Sequence, residues 1–326
     1  MPLTLTYLCF NYNYASYLSA NLRGLRAQTR TPDRVVVSDD CSSDTLETLQ
    51  GLCGDLPNCE VVKEPKNLGP LQHYRKRIAE VTTDAYLLTS ADDYLVDPDY
   101  VADCLAVLER HPQVVAVFGL HQPTGDGGQP MRSLEIESTD PVSVIKAPIA
   151  RRRLAYINFM PAVCTVIRTA AHHKMPAFPL ANPHCADWMQ FYLLTQAGDF
   201  ARLNRVAMHY RIHSSNMSVA FDAERMASKH VDEGYADLLA TPGLSDDDRR
   251  HLRLGRMRHA VINARVAELP GVLLAAKGHR LSWQALLETL ADRVSRRAQQ
   301  WSTAWRQRQI PPLEAHCATS TEPERD

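Results

Sequence analysis

Two apolar runs in this chain end in adjacent aspartates, and that recurrence narrows the folds open to it. They are Arg34-Val35-Val36-Val37-Ser38-Asp39-Asp40 and Tyr86-Leu87-Leu88-Thr89-Ser90-Ala91-Asp92-Asp93. Short apolar runs without strict alternation suit strands covered on both faces, as in parallel sheets. Paired carboxylates at a strand end are costly unless something neutralises them. A hard divalent cation carrying a diphosphate would do so. A third run, Leu3 to Phe10, ends in the polar-aromatic cluster Asn11-Tyr12-Asn13-Tyr14. Tyr17, Leu18, Ala20, Leu22 and Leu25 then follow at helical spacing. Strand, helix, strand, helix, strand implies parallel pairing with right-handed crossovers. In such sheets ligands gather beyond the carboxyl ends of the strands.

The rest of the chain extends this pattern. A helix is expected from Leu71 to Val81, and another on the stripe Val101, Leu105 and Leu108, with Asp97-Pro98-Asp99 as its cap. Val114 to Gly119 reads as a strand and Thr124 to Gly128 as a loop. Asn158 to Arg168 reads as a loop entering a buried strand, and Asp187 to Leu194 as a helix. Beyond about residue 220 the pattern becomes helical and charged. In the tail, Arg293, Arg296, Arg297, Arg306 and Arg308 gather around Trp301 and Trp305. A basic helix of that kind can lie on an anionic membrane surface, or pack on the catalytic domain or a partner. From Pro311 onward the composition is that of a disordered tail.

The formal net charge is −1, which offers no global field for nucleic acid. Eight cysteines lack CxxC or metal-ligand spacing, so reduced core thiols are expected. Met1-Pro2-Leu3 leads into strand pattern rather than a basic leader. No apolar run approaches the roughly 18–20 residues of a spanning helix. A cytoplasmic protein is expected, peripheral to the inner face of the membrane if the tail binds it. A homo-oligomer stays open.

The chain resembles the family 2 glycosyltransferases of GT-A fold, which use nucleotide-sugar donors. The matching pieces stand in the family's order: Cys9 to Asn13, Ala27-Gln28-Thr29, Val35 to Asp44, Lys66 to Gly69, Ser90 to Asp93, Ala186-Asp187-Trp188, and Tyr210 to Ser218. They cover roughly residues 1–220. The fold class implied is α/β, a GT-A fold with a Rossmann-like, mostly parallel central sheet flanked by helices and a helical C-terminal extension. Residues 1–120 would bind the nucleotide sugar and 121–220 the acceptor, with a helical region at 221–310 and a tail at 311–326.

The resemblance also implies roles. Asn11 and Tyr12 would grip the base. Asp39 would accept from the N3–H of a pyrimidine, with Asp40 orienting the loop or touching ribose or base. Asp44 ranks below both, as a helix cap. Lys66, Asn67 and Gly69 would approach the phosphate or ribose, although a plain turn explains them almost as well. Ser90 stands where the family has the first aspartate of Asp-Ala-Asp-Asp, Ala91 follows it in the donor loop, and Asp93 would be a further metal ligand or a contact to the sugar. Asp92 and His213 would ligate Mn²⁺ or Mg²⁺, and Arg211 would neutralise phosphate charge. Ser214, Asn216 and Ser218 would shape a loop over the donor. Asp187 would be the base of an inverting transfer, although the family's Glu-Asp-Trp has become Ala-Asp-Trp.

The expected activity is therefore metal-dependent transfer of a hexose from a UDP-sugar, or second a dTDP-sugar, to a hydroxyl acceptor. That acceptor would be a glycan, lipid-linked or other glycoconjugate in polysaccharide assembly. A dinucleotide oxidoreductase is disfavoured because no GxGxxG follows the first strand. A nucleotidyltransferase would need a Gly-rich basic loop there. A non-catalytic relative acting as an assembly partner stays open, motivated by Ser90 and Ala186.

Overall fold

A computed structural model describes residues 2–131, 140–176, 185–216 and 227–263. Among them, nine strands form one sheet, ordered β3-β2-β1-β4-β8-β6-β9-β5, with β7 paired to β9. The N-terminal half comprises β1 (Leu5–Asn11), α1 (Ala15–Arg26), β2 (Arg34–Asp39), α2 (Leu46–Cys53), β3 (Cys59–Lys63), α3 (Pro70–Ala79) and β4 (Ala85–Ser90). All three pairings within β3-β2-β1-β4 are parallel, as the alternation of strand and helix patterns implies.

Register levels the strand ends. Asn11 faces Asp39, Asp39 faces Lys63, and Phe10 faces Ser90. The chain winds outward from β1 to β3 and then returns to β4 on the other side of β1. The crevice is expected at such a reversal.

Burial on both faces explains the unbroken apolar runs. Leu5, Tyr7, Cys9, Val35, Val37 and Leu87 pack with Leu18, Leu22 and Leu25 of α1 on one face. Leu8, Val36 and Tyr86 alternate to the other, against Ile78 of α3 and the later helix α7. Each fully buried aliphatic side chain stabilises the fold by about 1.5–3 kcal/mol. At Gly24 of α1, an added Cβ would lie 2.4 Å from the Leu95 carbonyl oxygen. That glycine lets α1 approach the backbone beside the site.

The second half comprises β5 (Tyr94–Leu95), α4 (Tyr100–Arg110), β6 (Val114–Thr124), β7 (Val142–Ile145), α5 (Ala147–Leu154), a 3-10 turn (Ala162–Cys164), β8 (Thr165–Arg168), α6 (Thr169–His173), α7 (Ala186–Leu194) and β9 (Asp199–Arg211). Here the sheet is mixed: β8 is antiparallel to both β4 and β6, whereas the bulged β6–β9 pairing is parallel. β5 and β9 are antiparallel, with Tyr94 opposite His209, so the end of β9 arrives beside Asp93. Asp99 does not cap α4 with its side chain. It accepts from Thr29 Oγ1 (2.8 Å), while Asp97 Oδ1 accepts the Asp99 N–H (3.1 Å) and shapes the turn.

α8 (Ala227–Ala240) and α9 (Asp246–Asn263) follow. One compact unit extends to His259 and includes α8 and α9 up to that residue. The Tyr235 hydroxyl of α8, for example, donates to the Ala155 carbonyl (2.9 Å). The described cysteines are free thiols. No described helix is long and apolar enough to cross a membrane. The basic Trp-containing segment, the 311–326 tail and Ser218 lie outside the described residues.

Candidate active site

The second acid pair sits in the turn between β4 and β5, with Asp92 3% and Asp93 1% exposed. Asp92 Oδ2 lies 3.0 Å from His213 Nε2 and accepts from Asn216 Nδ2 (3.1 Å). Asp93 Oδ1 accepts the Arg211 N–H (2.9 Å). Among the described residues, the other oxygens, Asp92 Oδ1 and Asp93 Oδ2, are buried without a hydrogen-bond partner. Burial, reinforced by the charge of Asp92, pushes the Asp93 carboxyl well above the ordinary range. Ala91 is the spacer, its N–H donated to Phe10 O (2.9 Å).

His213 is held from three sides. Its ring stacks on Tyr17 (4.8 Å between centroids) and meets Tyr14 edge-on (5.2 Å). Nδ1 is 2.9 Å from Ser215 Oγ, a contact that would orient Nε2 toward Asp92. The described residues contain no group of three or more His, Cys, Asp or Glu arranged to hold a metal. Asp92 and His213 with an orphaned buried oxygen are nevertheless a donor set suited to a cation shared with substrate phosphates. Such cations commonly take one or two carboxylates and fill the remaining positions with phosphate and water. The residues present fit the ion in that shared form.

Arg211 does not face that site. Its Nε donates to Asp92 O (3.0 Å), Nη1 donates to Asp126 O, and the guanidinium lies over Tyr17 (4.9 Å) and Tyr94 (5.4 Å). It braces the turn that carries the aspartates. Asn21 of α1 does the same from inside, donating to Asp93 O (2.8 Å) and Ser90 O (3.1 Å).

At the first acid pair the two carboxylates divide the work. Asp39 is fully buried. Its Oδ1 accepts from Asn11 Nδ2 (2.6 Å) and Ser42 Oγ (2.5 Å), and its Oδ2 from Ser42 N–H (3.0 Å) and Lys63 Nζ (2.9 Å). Burial alone would raise its pKa, but the donors Ser42, Lys63 and Asn11 outweigh it and hold it below the ordinary value. Four donors fill its acceptor sites, and the Asn11 amide is spent on Asp39 and, at 3.1 Å, Asp44. Asp40 instead lines a cavity of about 440 Å³ with Tyr12, Asn67, Gly69 and Ser90. It accepts the Leu68 and Gly69 N–H groups (2.7 and 2.9 Å), one on each oxygen, which leaves acceptor capacity on both. Gly69 has φ +76°, which lets this turn close. Tyr12 is 49% exposed, its ring free to cover a planar ligand. Lys66 is exposed and does not line the cavity.

A second cavity, of about 520 Å³, shares Tyr14, Ser90, Tyr74 and Val163 with the first and continues to Asp92, Asp93 and Asp187. Asp187 opens α7, where the helix dipole favours a carboxylate. Asn158 Nδ2 donates to its Oδ2 (3.1 Å). Burial pushes this carboxyl above the ordinary range, partly offset by the Trp188 N–H and Asn158. Behind it, Tyr74, Gln190, Tyr86 and His172 form a half-buried hydrogen-bonded chain.

Lys63, Asn21, Tyr14, Tyr17, Asn158 and Gln190 were not expected at the site. Lys63 alone carried a readable signal, a cation closing the strand next to the acid-ended β2. The others depend on which helix face meets which loop.

The uncharacterized proteins Rv1520 of Mycobacterium tuberculosis and Mb1547 of Mycobacterium bovis are each 26% identical over 111 residues, 33% of this chain and 32% of theirs. The chain thus matches about a third of the length of these relatives. Among solved structures, S. aureus TarS 1-349 in complex with UDP-GlcNAc has a TM-score of 0.61 at 17% identity, covering 85% of this chain and 80% of that one. The mannosyltransferase PcManGT from Pyrobaculum calidifontis, in complex with GDP-Man and Mn²⁺, has a TM-score of 0.61 at 17% identity, covering 93% and 84%. At such identities the likeness is one of fold. The family model for glycosyl transferase family 2 matches residues 9–175, just over half of the chain, from the end of β1 to the residues after α6. This stretch holds both acid pairs, and the chain belongs to glycosyl transferase family 2.

Proposed function

We propose that the chain transfers a sugar from a nucleoside-diphosphate donor, UDP-linked or second dTDP-linked, to a hydroxyl acceptor with inversion. The observation that carries this reading is the continuous cleft. It runs from Asp40 and Tyr12, past Ser90 and Asp92, to Asp187. In the first part, Tyr12 stacks on the base while Asp40 accepts its imide N–H. Bound UDP-GlcNAc in TarS and GDP-Man with Mn²⁺ in PcManGT support a nucleotide sugar in this fold. The pyrimidine preference rests on the single carboxylate acceptor.

Asp92 and His213 would hold the divalent cation. When bound, that ion supplies neutralising charge for the departing nucleoside diphosphate. Ser90 offers a hydroxyl to the donor where a carboxylate is usual, which leaves less negative charge to oppose the diphosphate. Asp187 takes the proton from the acceptor hydroxyl as oxygen attacks the anomeric carbon, and its raised pKa makes it a better base. Asn158 keeps the carboxylate aimed. The acceptor is a hydroxyl of a glycan or glycoconjugate.

Titration calorimetry against UDP, dTDP, GDP and NAD, with and without Mn²⁺, tests the donor site. Metal-dependent binding of one pyrimidine diphosphate is expected. A folded sample that binds no diphosphate in Mn²⁺ would refute the reading.

A further inference from the structure

His73 lies in the first turn of α3 and is 2% exposed. It lines the same cavity as Asp40, Tyr12 and Gly69. Its backbone N–H donates to the Gly69 carbonyl (3.1 Å), and the Gly69 N–H donates to Asp40 Oδ2 (2.9 Å). A single residue therefore ties His73 to the carboxylate that faces the cavity. The His73 ring meets Phe10 edge-on, with 4.9 Å between centroids.

The far side of the ring fixes the place of its proton. Nε2 lies 2.6 Å from Ser38 Oγ, and Arg77 Nε donates to that same oxygen (2.9 Å). Arg77 is anchored in turn by the carboxylates of Glu64 and Glu80. A guanidinium only donates, so Ser38 Oγ accepts from Arg77. Ser38 is 1% exposed, and His73 Nε2 is the acceptor within reach of its hydroxyl hydrogen among the described residues. Leaving a buried hydroxyl hydrogen unused is costly. Nε2 therefore accepts, and the neutral ring carries its hydrogen on Nδ1. Burial outweighs the nearby Asp40 charge and lowers the pKa of the ring, which keeps it neutral.

The other nitrogen is free. Among the described residues Nδ1 has no hydrogen-bond partner, and it is not sealed from solvent. The open space beside this buried ring is the cavity it lines, so the unused N–H points there.

We propose that His73 Nδ1–H is a second reader of the donor's base, donating to a carbonyl beside the N–H that Asp40 accepts. The inference deepens the donor-site reading and rests on it. An acceptor and a donor joined through Gly69 match the imide edge of uracil or thymine, where an N–H stands between two carbonyls. Ser38 and Arg77 are positioning residues, because they act on the base only through the tautomer they impose on His73.

The test uses the full chain with Mn²⁺. UDP, 2-thio-UDP and 4-thio-UDP are titrated calorimetrically into wild type and His73→Phe, with folding checked by thermal unfolding. Phenylalanine keeps an aromatic ring and removes the donor, while sulfur is a weak acceptor in place of a carbonyl oxygen. Wild type should bind UDP about tenfold more tightly than His73→Phe does, and about tenfold more tightly than it binds one of the thio analogues. His73→Phe should bind UDP and that analogue alike, and the coupling identifies the carbonyl that His73 reads. If His73→Phe does not fold, nitrogen-15 NMR of wild type carries the test: the His73 ring should be protonated on Nδ1 and bare on Nε2, with Nδ1 shifting when UDP is added. A ring protonated on Nε2, or equal affinity of wild type and folded His73→Phe for UDP, overturns the inference and leaves the donor site standing. A wild type that does not distinguish oxygen from sulfur at either position overturns it too. Failure of folded wild type to bind UDP overturns the donor reading and this inference with it.

Discussion

Replacing Asp39 by asparagine separates two roles that a strand-end carboxylate can play. Asp39 accepts four donors, one of them the Lys63 ammonium. Asparagine has one oxygen, so it keeps two of these bonds and turns an NH₂ toward the remaining donors. Whichever way the amide faces, the ion pair with Lys63 is lost. A neutral bond contributes about 1 kcal/mol and a charged one about 1.5–3 kcal/mol. Asp39→Asn should therefore cost about 2.5–4 kcal/mol, read as a lower denaturant midpoint at unchanged slope. The pH dependence has a definite sign. The folded pKa of Asp39 lies below its unfolded value of about 3.9. Its stabilisation is thus complete above that unfolded value and is lost as pH falls through the folded one. The gap between wild type and variant should narrow in that acid window. Once folded, the variant should bind UDP within about threefold of wild type, because Asp40 lines the base cavity and Asp39 does not. A variant as stable as wild type that binds UDP more than about tenfold more weakly would refute this reasoning and make Asp39 the base reader.

Asp187→Asn should lower kcat by about 10²–10⁴ while leaving UDP affinity unchanged; an equal loss in UDP binding would place Asp187 in the donor site. Because burial raises the Asp187 pKa, wild-type turnover should climb with pH through a midpoint above the ordinary aspartate value; a midpoint at or below it would remove the pKa argument. Burial, helped by the His173 charge, lowers His172 to about 4, so the folded state resists a proton that the unfolded state accepts. Stability should fall by up to about 3 kcal/mol as pH drops from about 6.5 to about 4, and His172→Asn should flatten that slope in pH-resolved denaturation. Gly24→Ala would press a methyl onto the Leu95 carbonyl; a loss of about 1–3 kcal/mol is expected, and an unchanged melting temperature would mean that α1 can shift freely.

The alternation of strand and helix patterns and the two acid pairs were enough to place Asp40, Ser90, Asp92 and Asp93 at the carboxyl ends of a parallel sheet. These are local properties: side-chain apolarity fixes which runs are buried, and parallel pairing brings their ends level. Asp187 at the start of a helix was legible for the same reason. Sequence also put His213 and Arg211 near the donor, but it could not tell their tasks apart. Only β9, laid antiparallel to β5, brings His213 Nε2 to Asp92 while locking Arg211 between Tyr17 and Tyr94. The division of labour between Asp39 and Asp40 was equally hidden. Asp39 is the last residue of β2 and Asp40 lies just beyond it, and the contacts that each side chain meets decide its role. One carboxylate meets Lys63, Ser42 and Asn11 and becomes an anchor, while the other meets the Leu68–Gly69 turn and an open cavity. A strand's position is written along the chain, but the partners of its side chains come from residues far away in it.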